Sequence, residues 1–120
     1  MKENIIKIKS YKFALKVVNL CRGLVDQKEY VLSKQLLTSG TSIGANVEEA
    51  VHAQSTSDYI HKLAIAQKEA SETLYWIRLL KDSELIEDEH GKELLCECEE
   101  VKRIITSILK TTKANRLQTR

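Results

Sequence analysis

Two Glu-x-x-His pairs are the residues of this chain whose types and spacing come closest to a chemical site. Glu49 precedes His52, and Glu87 precedes His90, by three positions each, so on a helix both members of a pair would share one face. Helical bundles that bind two iron or manganese ions use two such pairs together with two further glutamates. The chain therefore has the residue types of a carboxylate–histidine metal site.

The chain offers few further ligands for such a site. Glu69 and Glu72 could give the two additional carboxylates, but the predicted first helix has no acid in its interior. Glu87 and His90 fall in a predicted turn rather than on a helix that faces the core. A polar surface or a hydrogen-bonded network is therefore the favoured interpretation. We expect no metal ion and no other cofactor, and a metal-binding or small-molecule-binding bundle stays an alternative.

Cysteine and glycine spacing gives no stronger evidence of chemistry. Cys21, Cys96 and Cys98 do not form the Cys-x-x-Cys pattern of zinc sites, and Cys21 and Cys98 fit the core faces of helices. Gly40 and Gly44 lack the Gly-Lys-Ser/Thr ending and the preceding strand of a phosphate-binding loop. We identify no catalytic residue and expect that the protein is not an enzyme.

Composition predicts one all-α domain that spans residues 1–120. The chain has no proline and only four glycines, 42% of its residues are hydrophobic and 30% are charged. This balance is typical of a globular domain built from long helices. No apolar run approaches the roughly 20 residues of a membrane span, and the first residues lack the apolar core of a signal peptide. We expect a cytoplasmic protein with no membrane partner.

Apolar residues recur every three or four positions in four segments, which predicts four helices. The predicted helices lie at about residues 8–25, 29–53, 56–81 and 89–112, and a polar tail at 113–120 should fray. Ser55, three residues before Asp58, is a predicted N-cap of the third helix, and Ser57 is a competing candidate. Because the connections are short, successive helices should be antiparallel. The expected fold is an antiparallel up-down-up-down four-helix bundle.

Two glycines inside the second predicted helix indicate unusually close packing. Gly40 and Gly44 are four residues apart, and each costs a helix roughly 1 kcal/mol relative to alanine. A backbone brought very close to a neighbouring helix would offset that cost. We expect the neighbour to be the third helix, through Ala66 and Ala70, or the first helix.

Polar residues near these glycines could fix how the helices align. Ser42, Asn46 and Glu49 follow one another at helical spacing on the second helix, and Glu69 and Glu72 lie on the adjacent third helix. A carboxylate hydrogen-bonded to Asn46 or Ser42 across the two helices would set their register, as buried polar residues do in helical assemblies. We predict such a network, with Asn46 as its central residue.

The third helix has more apolar surface than one core stripe needs. Tyr75, Trp76 and Leu79 flank its predicted core positions, so the run from Leu74 to Leu80 is apolar nearly all round. Trp and Tyr are enriched at protein interfaces. We predict that these three residues form a subunit interface. The alternative is that the two aromatic residues wrap the edge of the monomer core.

Charge is unevenly spread along the chain. Residues 1–40 hold eight Lys/Arg and three Asp/Glu, residues 41–100 hold five and fourteen, and residues 101–120 hold six and none. In a four-helix bundle both termini lie at the same end, where their positive field would attract RNA or DNA. The alternative is a set of solvated surface charges. The predicted nucleic-acid-binding residues are Lys7, Lys9, Lys12, Lys16, Lys110, Lys113, Arg116 and Arg120.

Two segments resemble a known bacterial family. The run Gln-Leu-Leu-Thr-Ser-Gly-Thr-Ser-Ile-Gly-Ala-Asn-Val-Glu-Glu-Ala at 35–50 and the segment at 58–80 are similar to the signature and third helix of the "four helix bundle protein" family. That family is also known as the 23S ribosomal RNA intervening-sequence proteins. The resemblance covers about residues 10–112, and it is most specific in the second and third helices.

The resemblance implies a left-handed four-helix bundle that assembles as a ring, typically a pentamer. Some members are encoded within insertions in 23S ribosomal RNA genes. Related bundles are accessory proteins of diversity-generating retroelements, in which a basic pentamer binds nucleic acid and a reverse transcriptase. The chain is less basic than that accessory group. The family has no established catalytic residues.

We therefore expect a non-enzymatic oligomeric scaffold or accessory protein. Its partners would be further copies of itself, with a pentamer favoured by the resemblance, and RNA, DNA or a nucleic-acid-processing protein at the basic terminal faces. A bundle that binds only proteins is a further alternative. Retention on RNA that depends on salt concentration would separate the first class from this one.

Overall fold

Four long helices form the fold in the computed structural model, which describes residues 2–118. Within this range there is no β-strand. The helices are α1 (Lys2–Asp26), α2 (Val31–Val51), α3 (Thr56–Asp82) and α4 (Asp88–Gln118). The all-α prediction is confirmed.

Contacts between α1 and α2 show that these helices are antiparallel. A Cβ atom built at Gly40 would meet the side chain of Val17, and one built at Gly44 would meet Ser10. Residue numbers therefore rise along α2 in the direction in which they fall along α1. The other sequential pairs of helices are antiparallel as well. Between α2 and α3, Ser39 contacts Thr73 and Glu49 contacts Lys62. Between α3 and α4, Gln67 contacts Thr106 and Lys81 contacts Asp88.

The bundle consequently runs up-down-up-down, and α1 and α4 also pair antiparallel, through Lys9 with Glu100 and Lys16 with Glu97. We call the end with residues 2–6, the α2–α3 connection and the last turns of α4 the terminal end. The end with the connections at 27–30 and 83–87 is the loop end. The molecule measures 54 × 22 × 20 Å.

The core is a single apolar cluster to which all four helices contribute. Phe13, Leu36, Ile77 and Ile105 are among its fully buried side chains. Core positions on each helix recur at three- and four-residue spacing, so one stripe of every helix is removed from water. Burial of these stripes stabilises the bundle by roughly 1.5–3 kcal/mol per large side chain.

Two predicted helix ends are wrong. Helix α1 begins at Lys2 rather than near residue 8, because Ile6 and Ser10 extend the buried face of Phe13 by two turns, each with 1% of its surface exposed. Helix α4 continues through the segment predicted to fray, as far as Gln118. No proline or glycine interrupts that segment, and its basic residues interact favourably with the helix dipole.

The N-cap of α3 is as predicted. Ser55 has an extended backbone, and its hydroxyl oxygen accepts a hydrogen bond from the backbone N–H of Asp58 at 3.0 Å. This bond satisfies one of the amide groups that a helix leaves unpaired at its start.

Both connections at the loop end begin with the same backbone motif. The N–H of Glu29 bonds to the carbonyl of Leu24, and the N–H of Leu85 bonds to the carbonyl of Leu80. These six-to-one bonds, each with a five-to-two bond inside it, define Schellman motifs. The residue that turns the chain is Lys28 in one motif (φ 66°) and Glu84 in the other (φ 63°), where glycine is the usual residue.

We predict that Lys28→Gly and Glu84→Gly each raise the free energy of unfolding by about 0.5–1 kcal/mol. A left-handed backbone costs a residue with a Cβ about 1–2 kcal/mol, and part of the relief is offset by the greater freedom of glycine in the unfolded chain. Urea unfolding measures the change. Lys28→Ala is the control and should gain nothing, and a Gly variant no more stable than the Ala variant would contradict the strain argument.

Candidate interaction surfaces

A row of exposed apolar side chains runs along the outer side of α1. We call it the α1 stripe, and it consists of Ile8, Tyr11, Leu15, Val18 and Val25. Four of these are 46–62% exposed, and Val18 is half-buried. Their spacing of three, four, three and seven residues is that of a coiled-coil seam. Since the opposite side of α1 lies in the core, this helix is apolar on two faces.

Helix α2 extends the α1 stripe toward the loop end. Leu37 is 38% exposed and, with Val18, Val25 and the exposed Arg22, lines a groove of about 430 Å³ between the helices. Among residues 2–118, no carboxylate pairs with Arg22 within 4.0 Å. The α1 stripe, Arg22 and Leu37 together are termed the α1/α2 face.

The predicted interface on α3 is divided between core and surface. Tyr75 and Leu79 are 50% and 38% exposed. Trp76 packs against the core, with its ring 5.0 Å from that of Tyr75 in an edge-to-face arrangement. Its Nε1–H is buried and has no acceptor in the described part of the chain. The aromatic pair thus covers the edge of the core, and Tyr75 and Leu79 offer the apolar surface.

These two exposed residues lie on the outer side of α3. They follow Glu72 at three- and seven-residue spacing, and Tyr75 is two residues, or about 200° around the helix, from the buried Thr73. Burial and, next, the negative charge of Glu72 raise the pKa of Glu69, while the charge of Lys68 lowers it. Glu72, Tyr75 and Leu79 together are termed the outer α3 face.

The two glycines of α2 pack on α1 rather than on α3. A Cβ at Gly40 would lie 2.8 Å from Val17 Cγ1 and 2.9 Å from Cγ2, whereas a Cβ at Gly44 would lie 3.4 Å from the carbonyl oxygen of Ser10. Ala66 and Ala70, the partners expected on the third helix, are fully buried. The carbonyl of Ala70 accepts from the thiol of Cys98, on the α4 side. The first-helix alternative is therefore the one that the geometry supports.

The predicted register network across α2 and α3 is wrong. Asn46 donates to the carbonyl of Ser42 at 2.9 Å, within its own helix, and Ser42 donates to the carbonyl of Thr38. Glu49 pairs with Lys62 at 3.2 Å on the surface. These polar groups are satisfied locally because their side chains lie outside the core stripe.

Two residues absent from that prediction supply the cross-helix bond. Ser39 and Thr73 are 1% and 0% exposed, and their hydroxyl oxygens lie 2.9 Å apart between α2 and α3. Thr73 also lies 2.7 Å from the carbonyl of Glu69, so both hydroxyls have partners. In the sequence, Ser39 and Thr73 continue the three- and four-residue spacing of the core residues Leu36 and Ile77. That spacing could have predicted that both are buried.

The two Glu-x-x-His pairs cannot form one metal site. Glu49 and His52 lie at the terminal end of α2, whereas Glu87 and His90 lie at the loop end, and the bundle is 54 Å long. Within the described residues no three His, Cys, Asp or Glu side chains are grouped closely enough to hold a metal ion.

The basic residues predicted to bind nucleic acid differ in their ion pairing. Lys7, Lys9 and Lys16 of α1 are ion-paired with carboxylates of α2 or α4: Glu48 at 3.6 Å, Glu100 at 2.6 Å and Glu97. The acidic middle of the chain thus neutralises part of its basic beginning. Arg116 bonds to Ser57, and Arg120 lies outside the described residues. Lys12, Lys110 and Lys113 are exposed, with no ion pair among residues 2–118.

Thiol reactivity should separate the three cysteines. Burial raises the pKa of Cys21 to about 11 and that of Cys98 to about 12, whereas Cys96 is exposed. Because the thiolate is the reactive form, we expect iodoacetamide at pH 8 to label Cys96 alone in the folded protein and all three cysteines in urea. Mass spectrometry of the peptides measures this, and labelling of Cys98 without denaturant would contradict the burial.

Comparison with known proteins identifies the family. The family model described as 23S rRNA-intervening sequence protein matches residues 2–107. The chain belongs to that family. One similar solved structure is the crystal structure of a protein with unknown function from the S23 ribosomal protein family of Bacteroides thetaiotaomicron. Its sequence is 50% identical to that of this chain. The two structures superpose with a TM-score of 0.90, and the alignment covers 92% of this chain and 99% of the other chain.

The family assignment agrees with the resemblance in the second and third helices. A sequence comparison with curated proteins finds no significant match. None of the four helices, over residues 2–118, has the length and hydropathy of a membrane-spanning segment. The family assignment therefore supports the four-helix fold, and a function has to be argued from the surfaces described above.

The α1 stripe is the feature that sequence reasoning missed. Its residues repeat at three- and four-residue spacing, as core residues do, but half a turn away from the core positions around Val17. Because α1 carries two such patterns, only the three-dimensional arrangement separates the inner one from the outer one. The signal was a helix with more apolar positions than one stripe can use.

Proposed function

We propose that this protein is a non-enzymatic homo-oligomeric scaffold. The observation that carries the proposal is the α1 stripe, a row of exposed apolar side chains with coiled-coil spacing. The stripe runs from Ile8 to Val25, about 26 Å along α1, so it is long enough to seat almost five turns of another helix. Exposed apolar surfaces of this kind mark protein–protein contacts.

Two apolar faces per chain favour an assembly of more than two copies. A stable interface buries about 800 Å² per partner, and the α1/α2 face and the outer α3 face lie on different sides of the bundle. The family resemblance adds the expectation of a pentamer. A scaffold of this kind would serve by holding several identical surfaces in fixed positions.

Light scattering after size-exclusion chromatography tests the proposal. At micromolar concentration we expect a multiple of the 13.7 kDa chain mass, with five copies as the specific expectation. A single species of 13.7 kDa would contradict the proposal.

Binding of RNA or DNA at the terminal end is a second candidate function. It is favoured by Lys110 and Lys113, which are exposed in the last turns of α4 and have no ion pair among the described residues. An oligomer would repeat these lysines around one end and add their fields. The description of the family also names the 23S rRNA intervening sequence.

Salt dependence of RNA binding tests this second function. We expect binding that weakens with salt, and Lys110→Gln/Lys113→Gln should reduce the slope of log K against log salt by about two. Lys28→Gln/Lys34→Gln, at the loop end, is the control and should leave the slope unchanged. If RNA binds but neither pair changes the slope, the RNA contacts lie away from Lys110 and Lys113. If no RNA binds, this second function is contradicted.

A further inference from the structure

We propose that a groove at the loop end binds a cationic amphipathic helix of a partner protein. This loop-end groove has a volume of about 740 Å³ and opens to solvent between the end of α1 and the α3–α4 connection. Its apolar floor consists of Leu20, Leu24, Leu85 and Ile86. The inference goes beyond the proposed oligomeric scaffold, because it concerns a separate partner and does not depend on self-association.

The floor of the groove is apolar surface that the bundle leaves partly uncovered. Leu24 is 2% exposed, whereas Leu20, Leu85 and Ile86 are half-buried and pack on the core from its edge. A leucine or isoleucine from outside would therefore remove further apolar area from water. Amphipathic helices bind grooves of this kind through the apolar residues of one face.

Gly23, in the wall of the groove, has no packing role within the chain. A Cβ atom at Gly40 or Gly91 would lie 2.8 Å from a side-chain atom, and one at Gly44 would lie 3.4 Å from a carbonyl oxygen. One at Gly23 would have no heavy atom within 4 Å. Because glycine weakens a helix relative to alanine, its place in an open groove points to a neighbour from outside the chain. The bare backbone lets a partner helix approach closely.

The rim of the loop-end groove carries uncompensated negative charge. Of its three carboxylates, Asp88 pairs with Lys81 at 3.2 Å and with Lys92 at 3.1 Å. Glu84 and Glu87 have no ion pair among residues 2–118. The segment 81–93 holds six Asp/Glu and two Lys. Lysine or arginine on a partner would therefore be attracted to this rim.

The α1 side of the groove does not cancel this charge. Residues 20–30 hold two basic and two acidic residues, and Arg22 lines the other groove of α1, together with Asp26. Gln27 and His90 line the loop-end groove as hydrogen-bonding groups. An apolar floor below an acidic rim is complementary to a helix with apolar residues on one face and basic residues beside them.

The loop-end groove stays accessible when copies meet through the α1/α2 face. Leu20 and Val18 are two residues apart, which places them about 200° apart around α1. Leu20 faces the α3–α4 connection, and Val18 faces the groove with Leu37 of α2. An oligomer would therefore present one such groove on every copy.

Fluorescence anisotropy with a synthetic peptide tests the inference. The probe is a fluorescein-labelled helix of about 14 residues, or four turns, with leucines on one face and lysines on the other. Its controls are a peptide of the same composition in scrambled order and one with glutamate in place of lysine. We expect the amphipathic lysine peptide alone to bind saturably at micromolar concentration.

Two variants locate the binding. Gly23→Leu fills the groove, where a Cβ meets no atom of the chain within 4 Å, and should weaken peptide binding about tenfold or more. Glu84→Gln/Glu87→Gln removes the rim charge and should weaken it about fivefold. The matched control is Glu93→Gln/Glu99→Gln, which changes two exposed carboxylates of α4 outside the groove and should leave binding within about twofold. Circular dichroism verifies that each variant is folded.

Several results would overturn the inference. Absence of saturable binding is one, and binding that Gly23→Leu leaves unchanged is another. Equal weakening by the two pairs of glutamine substitutions would indicate general attraction to an acidic surface. If Gly23→Leu lowers the oligomer mass in light scattering, a second copy occupies the groove instead. A monomeric chain that binds the peptide in this groove would contradict the proposed scaffold and leave the inference intact.

Discussion

Leu15→Asp should convert the oligomer into a folded 13.7 kDa monomer. Leu15 lies at the centre of the α1 stripe and is 53% exposed in the single chain, so a carboxylate there remains in water when the chain is monomeric. In an assembly it would be buried without a partner. We expect each contact to weaken by about 2–4 kcal/mol, whereas the free energy of unfolding of the monomer changes by about 0.5 kcal/mol or less.

Sedimentation velocity at micromolar concentration measures this effect, with circular dichroism to verify the helical fold. Leu117→Asp is the matched control, because Leu117 is also exposed, at 69%, but lies near the end of α4 and outside both faces. Its mass should equal that of the unmodified protein. Equal masses for all three proteins would show that the α1 stripe makes no contact between copies.

Gly40→Ala should lower the free energy of unfolding by about 2 kcal/mol, whereas Gly44→Ala should raise it by up to about 1 kcal/mol. Both changes gain helix propensity of about 1 kcal/mol. The new methyl group at Gly40 would lie 2.8 Å from Val17 Cγ1, while at Gly44 its nearest neighbour is a carbonyl oxygen at 3.4 Å. The first is an overlap that forces α1 and α2 apart, and the second is a van der Waals contact.

A double-mutant cycle with Val17→Ala isolates the contact at Gly40. Val17→Ala removes the two methyl groups that the new Cβ would strike, so Gly40→Ala should cost much less in that background. Chemical denaturation of the four proteins gives the coupling energy, which we expect to be favourable by about 1–2 kcal/mol. If the effects of Gly40→Ala and Val17→Ala are additive, close packing is not the reason for a glycine at position 40. The same conclusion follows if Gly40→Ala and Gly44→Ala change the free energy of unfolding in the same direction.

The fold could be predicted from the sequence because local signals agree with one another. Apolar spacing, the absence of proline and the Ser55 cap all indicate long antiparallel helices, and the structure has them. The ends of α1 and α4 were harder to predict from the sequence. Ser10 is polar yet buried, so it interrupted the apolar pattern, and residues beyond 112 are helical although they face water.

The surfaces were less predictable, because which polar group meets which depends on rotation of each helix about its axis. Asn46 and Ser42 have the residue types of a register network, but they lie away from the core and bond within α2. Ser39 and Thr73 lie toward it and bond across the helices. Because Ser39, Ser42 and Asn46 follow one another at three- and four-residue spacing, they lie within about 60° of one another around α2. That difference in direction is finer than apolar spacing alone specifies.

Chemical labelling of two tyrosines tests the central claim most directly. Tyr11 in the α1 stripe and Tyr30 in the α1–α2 connection are 62% and 58% exposed in the single chain, so a monomer would label both alike. If the α1 stripe is buried between copies, hydroxyl-radical labelling of the assembled protein will modify Tyr30 and spare Tyr11, and Leu15→Asp will restore labelling of Tyr11. Equal labelling of both tyrosines in the unmodified protein would contradict the account.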